Sequence, residues 1–560
     1  MVRPINLYEE RSKFEVSRKS NPSEPAVGAN QIETNPIETC VRWPVACILS
    51  TGPEIDNGNL GYYQSSRSSS SAKIQSQGIS TRMEFVPGSR VRAYWVLLVY
   101  TLVPSLPLAL LARRLGLLPG GYINLECLLI GALSVFLPRK ATFFLLFLEL
   151  LADVARAFCM TYFISLKDLL SVLPSLPELP LFRILEIFAG LALAILICAA
   201  VALVRPHTKE RFLTVGGFLL LIAILTVGAL FAGQAGQYVC LRLDVAYFPY
   251  HLIRAPLLSL VRYKAYLHDI GMVSRQPNGN GMLSASSHAL AFLDSPSAVK
   301  SPDVVLILVE SWGLPLDTHL SHALTAVYDD QRIGDKYDVS YGTAPFNGAT
   351  VPGETRELCQ SGIGYGIRQA SAAQADGCLP ALLHKRGYKS FSIHGYSGRM
   401  FQRNRWYRTI GFDQSWFGQD FDKLGLPDCG DSFPGTCDAS LAGWIGDTLL
   451  SVKSDRPKFI YWVTLNSHLP VPAHPNLPDD DVCTTQPALQ GSTALCSWFR
   501  LVRNVHQSVQ QLALTRTIRP TVFVVVGDHA PPFADPSLRP DFSTTDVPYV
   551  LLTPKMAASQ

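Results

Sequence analysis

The sequence has few charged residues. They make up 16% of its 560 residues, whereas apolar residues make up 48%. That charged share is too low for a wholly soluble protein, so we predict that part of the chain lies in a membrane. The formal net charge is only +4. A charge this small for the chain length gives no reason to expect nucleic acid as a partner.

The polar C-terminal half also lacks a Cys-x-x-Cys motif, although six of the 12 cysteines lie there. These six are neighbours in sequence: Cys359 and Cys378, Cys429 and Cys437, Cys483 and Cys496. An even set of close pairs predicts three local disulfides, and therefore an oxidising compartment. Free buried thiols or a zinc site are the alternatives.

Residues 1–82 are polar and rich in serine, without sustained periodicity, so we predict a disordered tail. Met83 begins a short basic lead into the first apolar segment. We hypothesise that the working protein starts there and that the tail is not translated.

Five apolar stretches follow, most of them close to the roughly 20 residues that cross a bilayer. They are 93–112, 122–137, 141–163, 187–204 and 212–233. This pattern predicts a multi-pass α-helical membrane domain with five spans over 83–238. Basic residues are concentrated before the first stretch, between the second and third, and between the fourth and fifth. The positive-inside rule therefore places the tail in the cytoplasm and the C-terminal half outside.

The third stretch contains Glu149, Asp153 and Arg156, which share one face of a helix. Charge inside a membrane is costly and often marks a function, here a lipid headgroup site. An interhelical ion pair, or a misplaced span end, explains the same residues.

Residues 239–300 combine a mixed aromatic, apolar and basic segment with a linker rich in Ser, Gly and Asn, which predicts an interfacial helix and a linker. From residue 301 to 560, apolar strand candidates alternate with helical segments. The candidates are 303–309, 389–393, 458–464, 520–526 and 547–552. Such alternation predicts an α/β domain with a mainly parallel sheet.

Two of these predicted strands end in polar residues. The first delivers Glu310 and Ser311, and the fourth delivers Asp528 and His529 after Gly527. Sites in open α/β sheets form beyond the carboxyl ends of parallel strands. A carboxylate beside an imidazole is a suitable pair of metal ligands, so we predict a metal site there if the two ends meet.

Residues 341–359 lie between those ends and have neither strand nor helix periodicity, which is typical of a plain loop rich in Gly and Pro. The stretch offers Thr343, Thr350 and Thr355. A hydroxyl beside a cation can lose its proton and become a nucleophile.

Five motifs in order resemble a known family. They are an E-S-W-G after the first strand, G-x-T-x-x-x-E from Gly348, an Arg before W-Y-x-x-I-G-F-D, the S-H-x-P at Ser467, and a strand ending in G-D-H. Together they resemble the sulfatase-like domain of lipoteichoic acid synthases and of periplasmic glucan phosphoglycerol transferases, members of the alkaline phosphatase superfamily. The resemblance covers about residues 300–555, and the five apolar stretches match the membrane part of these enzymes.

This resemblance implies one divalent cation held by Glu310, Thr350, Asp528 and His529, with Thr350 as the nucleophile. It also implies that Arg403 and His468 contact the substrate. Arg405 is the rival of Arg403, but its register with the following Trp-Tyr is poorer. Carboxylate, hydroxyl and imidazole ligands favour manganese or zinc over magnesium.

The implied activity moves phosphoglycerol from a membrane phospholipid to a glycan or lipid acceptor through a phospho-threonine. The cysteine pairs favour a periplasmic domain anchored in a bacterial inner membrane. They also resemble phosphoethanolamine transferases, which are the alternative family.

Other classes fit less well. A sulfatase needs a C/S-x-P-x-R pentapeptide, and the sequence has none. A phosphodiesterase with two metals needs further ligands, for which His384 and His394 are the spare candidates. A non-catalytic scaffold would not need all four ligand types.

Overall fold

The computed structural model describes residues 87–118, 123–204, 211–235, 253–257, 260, 284–295, 299–345, 348–478, 480–515 and 517–555. The chain forms two units, Met1–Arg82 and Met83–Gln560, and every described residue belongs to the second. The predicted tail, 1–82, and most of the predicted interfacial segment and linker, 239–300, lie outside the described residues.

Helices occupy all five apolar stretches of the first half. They are α1 (Pro87–Leu102), α2 (Leu106–Leu115), α3 (Leu125–Ser134), α4 (Arg139–Tyr162), α5 (Leu166–Val172), α6 (Leu181–Leu203) and α7 (Arg211–Ala235). Between α1 and α2 the chain forms a 3₁₀ turn at Val103–Ser105, because Pro104 lacks the N–H that a continuous helix requires. Two short strands, β1 (Ile123–Asn124) and β2 (Ile253–Arg254), pair in parallel beside these helices. We call residues 87–235 the helical part.

One described helix, α6, is both long and apolar enough to cross a membrane. Three shorter apolar helices accompany it, at Tyr94–Ser105, Leu125–Ser134 and Arg211–Ile224. The five-span membrane domain therefore stays a prediction.

Glu149, Asp153 and Arg156 of α4 are buried and engaged in contacts within the helical part. Arg156 Nη2 lies 2.8 Å from Asp153 Oδ1, one helical turn away. Glu149 Oε1 accepts a hydrogen bond of 2.5 Å from Asn124 Nδ2, next to α3. The ion pair of Arg156 with Asp153 forms within α4 and not between helices, so it is not the interhelical pair that was the alternative, and the headgroup site stays a prediction.

The C-terminal domain begins with α8 (Ala285–Leu293) and alternates strands with helices. Its strands are β3 (Asp303–Val309), β4 (Tyr337–Pro345), β5 (Lys389–His394), β6 (Gln414–Phe417), β7 (Asp428–Cys429), β8 (Gly435–Thr436), β9 (Lys458–Val463), β10 (Thr521–Gly527) and β11 (Asp546–Pro554). Its other α-helices are α9 (Thr318–Thr325), α10 (Gln331–Lys336), α11 (Thr350–Cys359), α12 (Ala372–Ala375), α13 (Leu379–Lys385), α14 (Arg403–Thr409), α15 (Gly418–Asp422), α16 (Asp438–Trp444), α17 (Val482–Thr485) and α18 (Thr493–Thr515).

The main sheet has seven strands in the order β4-β11-β10-β3-β9-β5-β6. The strands from β10 to β6 are parallel, whereas β11 and β4 run antiparallel at one edge. The prediction of a mainly parallel α/β sheet is confirmed. β7 and β8 form a separate antiparallel pair.

Both faces of the sheet are covered, which explains the continuous apolar runs of its central strands. In β3, Val305, Ile307 and Val309 pack into one core, which α18 covers. The alternate residues, from Val304 to Leu308, pack into the second core with α8, α11 and α13. Each fully buried aliphatic side chain contributes on the order of 1.5–3 kcal/mol, so these two layers fix the sheet that carries the site.

The prediction of a plain loop over 341–359 is wrong. Its first residues belong to β4, which lies at the sheet edge and pairs only with β11, so its side chains are largely exposed and lack a buried pattern. Its last residues form α11, where Pro352 lies in the first turn, a position that tolerates proline.

The six cysteines of the C-terminal half form the three predicted disulfides. The pairs are Cys359–Cys378, Cys429–Cys437 and Cys483–Cys496. The first joins the end of α11 to the start of α13 and so anchors the helix that begins at Thr350.

Candidate metal centre and phosphate site

The two polar strand ends meet. β3 and β10 are parallel neighbours in register, with Val309 opposite Gly527. Glu310 and Asp528 therefore leave the sheet side by side, and the Asp528 N–H donates to the Val309 carbonyl at 3.2 Å. The expectation that these ends come together is confirmed.

Four predicted ligands converge at this edge. Ligand atoms of Glu310, Asp528 and His529 all lie within 4.8 Å of one another. His529 Nε2 is 3.4 Å from Glu310 Oε1 and 3.2 Å from Asp528 Oδ2. The Thr350 hydroxyl donates to Glu310 Oε2 at 3.1 Å and lies 3.5 Å from His529 Nε2.

These residues fit a divalent cation. Asp528 Oδ2 is buried and accepts no hydrogen bond, although a carboxylate oxygen out of water needs a partner. The other oxygen, Oδ1, accepts the N–H groups of Ser311 and His529 at 2.7 and 2.6 Å, which orients the carboxylate. His529 Nδ1 lies 2.9 Å from the Ala530 carbonyl. When Nδ1 carries the proton and donates it to that carbonyl, Nε2 is free of a proton and can bind the cation.

The electrostatics of the cluster point the same way. Burial raises the pKa of Asp528 to about 8, and the neighbouring Glu310 adds to this. Burial opposes ionisation of Glu310 too, but the interactions with His468 and His529 outweigh it and lower the pKa of Glu310 below its usual range. Packed together, the two carboxylates need compensating positive charge, which a bound cation supplies.

Thr350 is the first residue of α11, so its hydroxyl lies at the positive end of the helix. The helix approaches Asp528 closely at Gly353, where an added Cβ would lie 3.0 Å from the Asp528 carbonyl oxygen. Glycine at this position lets α11 bring Thr350 up to the strand ends.

Arg403 is buried at the start of α14, whereas its rival Arg405 is exposed. Its Nε and Nη2 lie 2.9 and 2.7 Å from Glu354 Oε1, one helical turn after Thr350. Nη1 lies 3.3 Å from His394 Nε2. Arg403 is thus held by protein groups, with its orientation set mainly by Glu354.

His468 is partly buried and its ring packs against that of Phe433, with centroids 4.4 Å apart. Its Nδ1 is buried and has no hydrogen-bond partner among the described residues. Burial lowers the pKa of His468, although Glu310 opposes this, so the ring is neutral near pH 7. His468 and Glu310 each affect the pKa of the other, so His468 lies near the metal cluster.

The spare histidines do not join the cluster. His394 ends β5, and its Nδ1 lies 3.2 Å from the Val463 carbonyl. Burial, with the charge of Arg403, lowers the pKa of His394 to about 3. His384 is exposed on α13, where its Nδ1 lies 3.6 Å from Asp413. The described residues contain one group of at least three His, Cys, Asp or Glu side chains suited to a metal.

Several residues of the site carried no assigned role from sequence. Ser311 has a left-handed backbone (φ 56°) and donates its hydroxyl to Glu310 Oε1 at 2.9 Å. Ser467 donates to the Glu310 carbonyl at 2.6 Å. Glu354 was visible in the G-x-T-x-x-x-E motif, since its spacing from Thr350 is one helical turn. The two serines lie in the E-S-W-G and S-H-x-P motifs, but the motifs alone gave no reason to assign them a role.

The C-terminal part of the chain is similar to known proteins. Residues 340–560 match the family model described as Sulfatase. No curated protein sequence matches the chain. One similar solved structure is an alkaline phosphatase superfamily protein from Vibrio parahaemolyticus, at 18% identity over 47% of this chain and 62% of that chain, with a TM-score of 0.34. The chain thus covers less than two thirds of that protein.

Two further structures are the lipoteichoic acid synthase LtaP from Listeria monocytogenes and the C-terminal periplasmic domain of EptC from Escherichia coli in complex with Zn. The first is 15% identical over 53% of this chain and 72% of that chain, with a TM-score of 0.34. The second is 14% identical over 46% of this chain and 74% of that chain, with a TM-score of 0.31. At these TM-scores neither similarity bears on activity. The family match over residues 340–560 agrees with the sulfatase-like domain that the motifs predict, and this C-terminal part of the chain is similar to the Sulfatase family.

Proposed function

We propose that this protein is a membrane-bound phosphotransferase that moves phosphoglycerol from phosphatidylglycerol to a glycan or lipid acceptor, with Thr350 as the covalent carrier. The observation that carries the proposal is the position of the Thr350 hydroxyl, 3.1 Å from Glu310 and 3.5 Å from His529 within a cluster suited to one divalent cation. A threonine in that position is an alcohol nucleophile, which suits phosphoryl transfer.

The first half-reaction forms a bond between Thr350 Oγ1 and the phosphorus of the lipid. The bond from phosphorus to the diacylglycerol oxygen breaks, and diacylglycerol leaves with a proton. Glu310, Thr350, Asp528 and His529 would hold manganese or zinc, which when bound lowers the pKa of the hydroxyl and neutralises charge on the phosphoryl group. His468 binds the headgroup or protonates the leaving oxygen.

In the second half-reaction an acceptor hydroxyl attacks the same phosphorus, and Thr350 leaves and regains a proton. We assign Arg403 to binding the phosphate in this step, because a guanidinium binds phosphate oxygens and Glu354 holds this one in place. The two halves give ping-pong kinetics with a phospho-threonine that can be trapped when no acceptor is present.

Phosphoethanolamine transfer is the second candidate, favoured by the three disulfides. The two donors differ in the alcohol that remains on the phosphate. The sequence offers no diagnostic acidic cluster that would select an ammonium group, so phosphoglycerol is the first choice.

The helical part would anchor the enzyme in a bacterial inner membrane and place the C-terminal domain in the periplasm. The apolar helix α6 and the three disulfides support this location. Reporter fusions to the C-terminus test it, and a cytoplasmic C-terminus would reverse the proposed topology.

The decisive experiment is mass spectrometry of the full chain incubated with manganese or zinc and vesicles of phosphatidylglycerol and phosphatidylethanolamine. We expect a phosphoglycerol adduct on the Thr350 peptide. Thr350→Ala should give no adduct, and Thr350→Ser serves as the matched control that keeps a hydroxyl. A phosphoethanolamine adduct would favour the second candidate. Headgroup release to water without any adduct would indicate a hydrolase.

A further inference from the structure

The end of α4 lies against the candidate site, although it belongs to the helical part. Its last residue, Tyr162, has its ring centroid 6.4 Å from that of His468. The next residue, Phe163, packs into the same core as Val351, the neighbour of Thr350. The helical part therefore lies beside His468 and beside α11, the helix that begins at Thr350.

The contact with the Thr350 loop is a close one. Gly348 has φ +93°, and an added Cβ would lie 2.9 Å from the Phe163 carbonyl oxygen. On the His468 side, an added Cβ on Gly116 at the end of α2 would lie 2.7 Å from Pro470 Cδ. Two helix ends thus lie directly on the two loops that carry Thr350 and His468.

Arg539 holds the end of α4 in this position. It lies downstream of His529 in the 3₁₀ turn Pro536–Asp541 and is 5% exposed. Its Nη1 and Nη2 donate to the Met160 and Thr161 carbonyls, both at 2.9 Å, and its Nε donates to the Phe533 carbonyl at 2.8 Å.

The chemistry of this contact favours a stable attachment of Arg539 to the end of α4, which we call the latch. A helix leaves its last carbonyls unpaired and carries partial negative charge at that end, so a guanidinium there satisfies both. The Arg539 guanidinium also lies over the Phe163 ring, 5.0 Å from the centroid. Because Ala530 and Phe163 line one cavity with Arg539, the latch adjoins the ligand His529.

A second anchor fixes the chain that follows α4, on the opposite flank of the site. Glu178 Oε2 accepts from Ser397 Oγ at 2.7 Å, and the Glu178 carbonyl accepts from Tyr396 at 2.6 Å. The Phe401 N–H donates to Ser175 Oγ at 3.2 Å, two residues before Arg403. The helical part is therefore bonded to loops on both sides of the metal cluster.

We propose that Arg539 is a positioning residue that holds Tyr162 and Phe163 as a wall of the phosphoryl site, so that the site opens towards the membrane. The wall admits an amphiphile with a phosphodiester headgroup that extends from the bilayer. This inference rests on the proposed phosphotransferase function. It adds a substrate-facing surface that is contributed by the helical part and set in place by one arginine of the C-terminal domain.

The test compares a lipid with a soluble substrate, using full-length protein loaded with manganese or zinc. The lipid is phosphatidylglycerol in vesicles, and the soluble probe is a nitrophenyl phosphodiester that needs no presentation from a bilayer. In Arg539→Met we expect kcat/KM for the lipid to fall at least about tenfold, while turnover of the soluble probe stays within about twofold of the unmodified protein.

Arg456→Met is the matched control. Arg456 also holds two backbone carbonyls, those of Gly387 and Tyr388, at 2.8 and 2.6 Å. These carbonyls precede β5, at the end of the sheet opposite to the site. This variant should leave the ratio of the two activities unchanged.

Tyr162→Ala provides a second variant, because it alters the wall and leaves the latch intact. It should shift the ratio of lipid to soluble turnover in the same direction as Arg539→Met. Equal loss of both activities in the two variants, or no loss of either, would overturn the inference. If the unmodified protein turned over neither substrate, the proposed function would fail instead.

Discussion

The carboxylate of Glu354 clamps the guanidinium of Arg403, with Nε 2.9 Å and Nη2 2.7 Å from the same oxygen. The Tyr407 hydroxyl donates to the other oxygen at 2.5 Å. Because Glu354 lies on α11, the helix that presents Thr350 also orients the arginine. Thr350 and Arg403, the proposed nucleophile and phosphate-binding residue, are thus coupled through one helix.

Glu354→Gln should weaken both stability and activity. It leaves the Arg403 charge buried without its partner, which typically costs about 3–5 kcal/mol. A misplaced guanidinium should also lower kcat/KM about 100-fold. Urea unfolding and transfer kinetics measure the two effects.

The pair Arg356–Glu357 supplies the control, since its side chains are also fully buried, with Nε and Oε1 2.6 Å apart. Glu357→Gln should lower stability with a smaller loss of activity than Glu354→Gln. If Glu354→Gln kept full activity, Arg403 would not depend on Glu354 for its orientation.

Metal removal should destabilise the C-terminal domain. A cation present at about 100 times its Kd contributes about 2.7 kcal/mol to the folded state, so a chelator should lower Tm and added manganese or zinc should restore it. Asp528→Asn should abolish this response. Asp303→Asn is the matched control, because Asp303 is also buried but begins β3 at the far end of the sheet. A full response in Asp528→Asn would remove Asp528 from the ligand set.

Stability should fall in acid partly because of His506. Burial lowers its pKa to about 3, and its Nδ1 lies 3.0 Å from the Tyr328 hydroxyl while its ring meets that of Trp312. Below pH 6.5 the unfolded chain gains a proton at His506 that the folded chain does not. The contribution of neutral His506 to the free energy of unfolding is therefore complete above pH 6.5. It is lost as the pH falls towards 3, at about 1.4 kcal/mol per pH unit.

Unfolding free energies measured between pH 7 and pH 5 test this expectation. His506→Gln should reduce the slope of the unfolding free energy against pH by about 1.4 kcal/mol per pH unit. An unchanged slope in this variant would mean that other groups govern the acid sensitivity.

The Cys359–Cys378 disulfide should stabilise the helix that begins at Thr350. The cysteines are 19 residues apart, and closing a loop of that size contributes about 3 kcal/mol through the unfolded chain. The double variant Cys359→Ser, Cys378→Ser should lose about that much stability. The bridge between Cys429 and Cys437, with a separation of 8, should contribute less. Complete thiol labelling of all six cysteines of the C-terminal half without a reductant would contradict all three bridges.

The sequence determined the sheet and its polar ends, because those features are local. Continuous apolar runs predicted β3, β5, β9, β10 and β11 to within a few residues, since strands buried on both faces need apolar side chains throughout. The residues after β3 and β10 could be assigned to one edge because the ends of parallel strands meet. The disulfides followed from the close spacing of their cysteines.

The tertiary structure decided what depends on contacts between distant segments. β4 is an edge strand that pairs only with β11, so its sequence lacks the apolar run of a buried strand. Only the hydrogen bonds to β11 identify it as a strand. The Glu354–Arg403 clamp joins α11 to α14, and no local periodicity encodes it. The contact of Arg539 with the end of α4 joins residues nearly 380 apart in sequence, so only the folded chain shows that the helical part forms one side of the site.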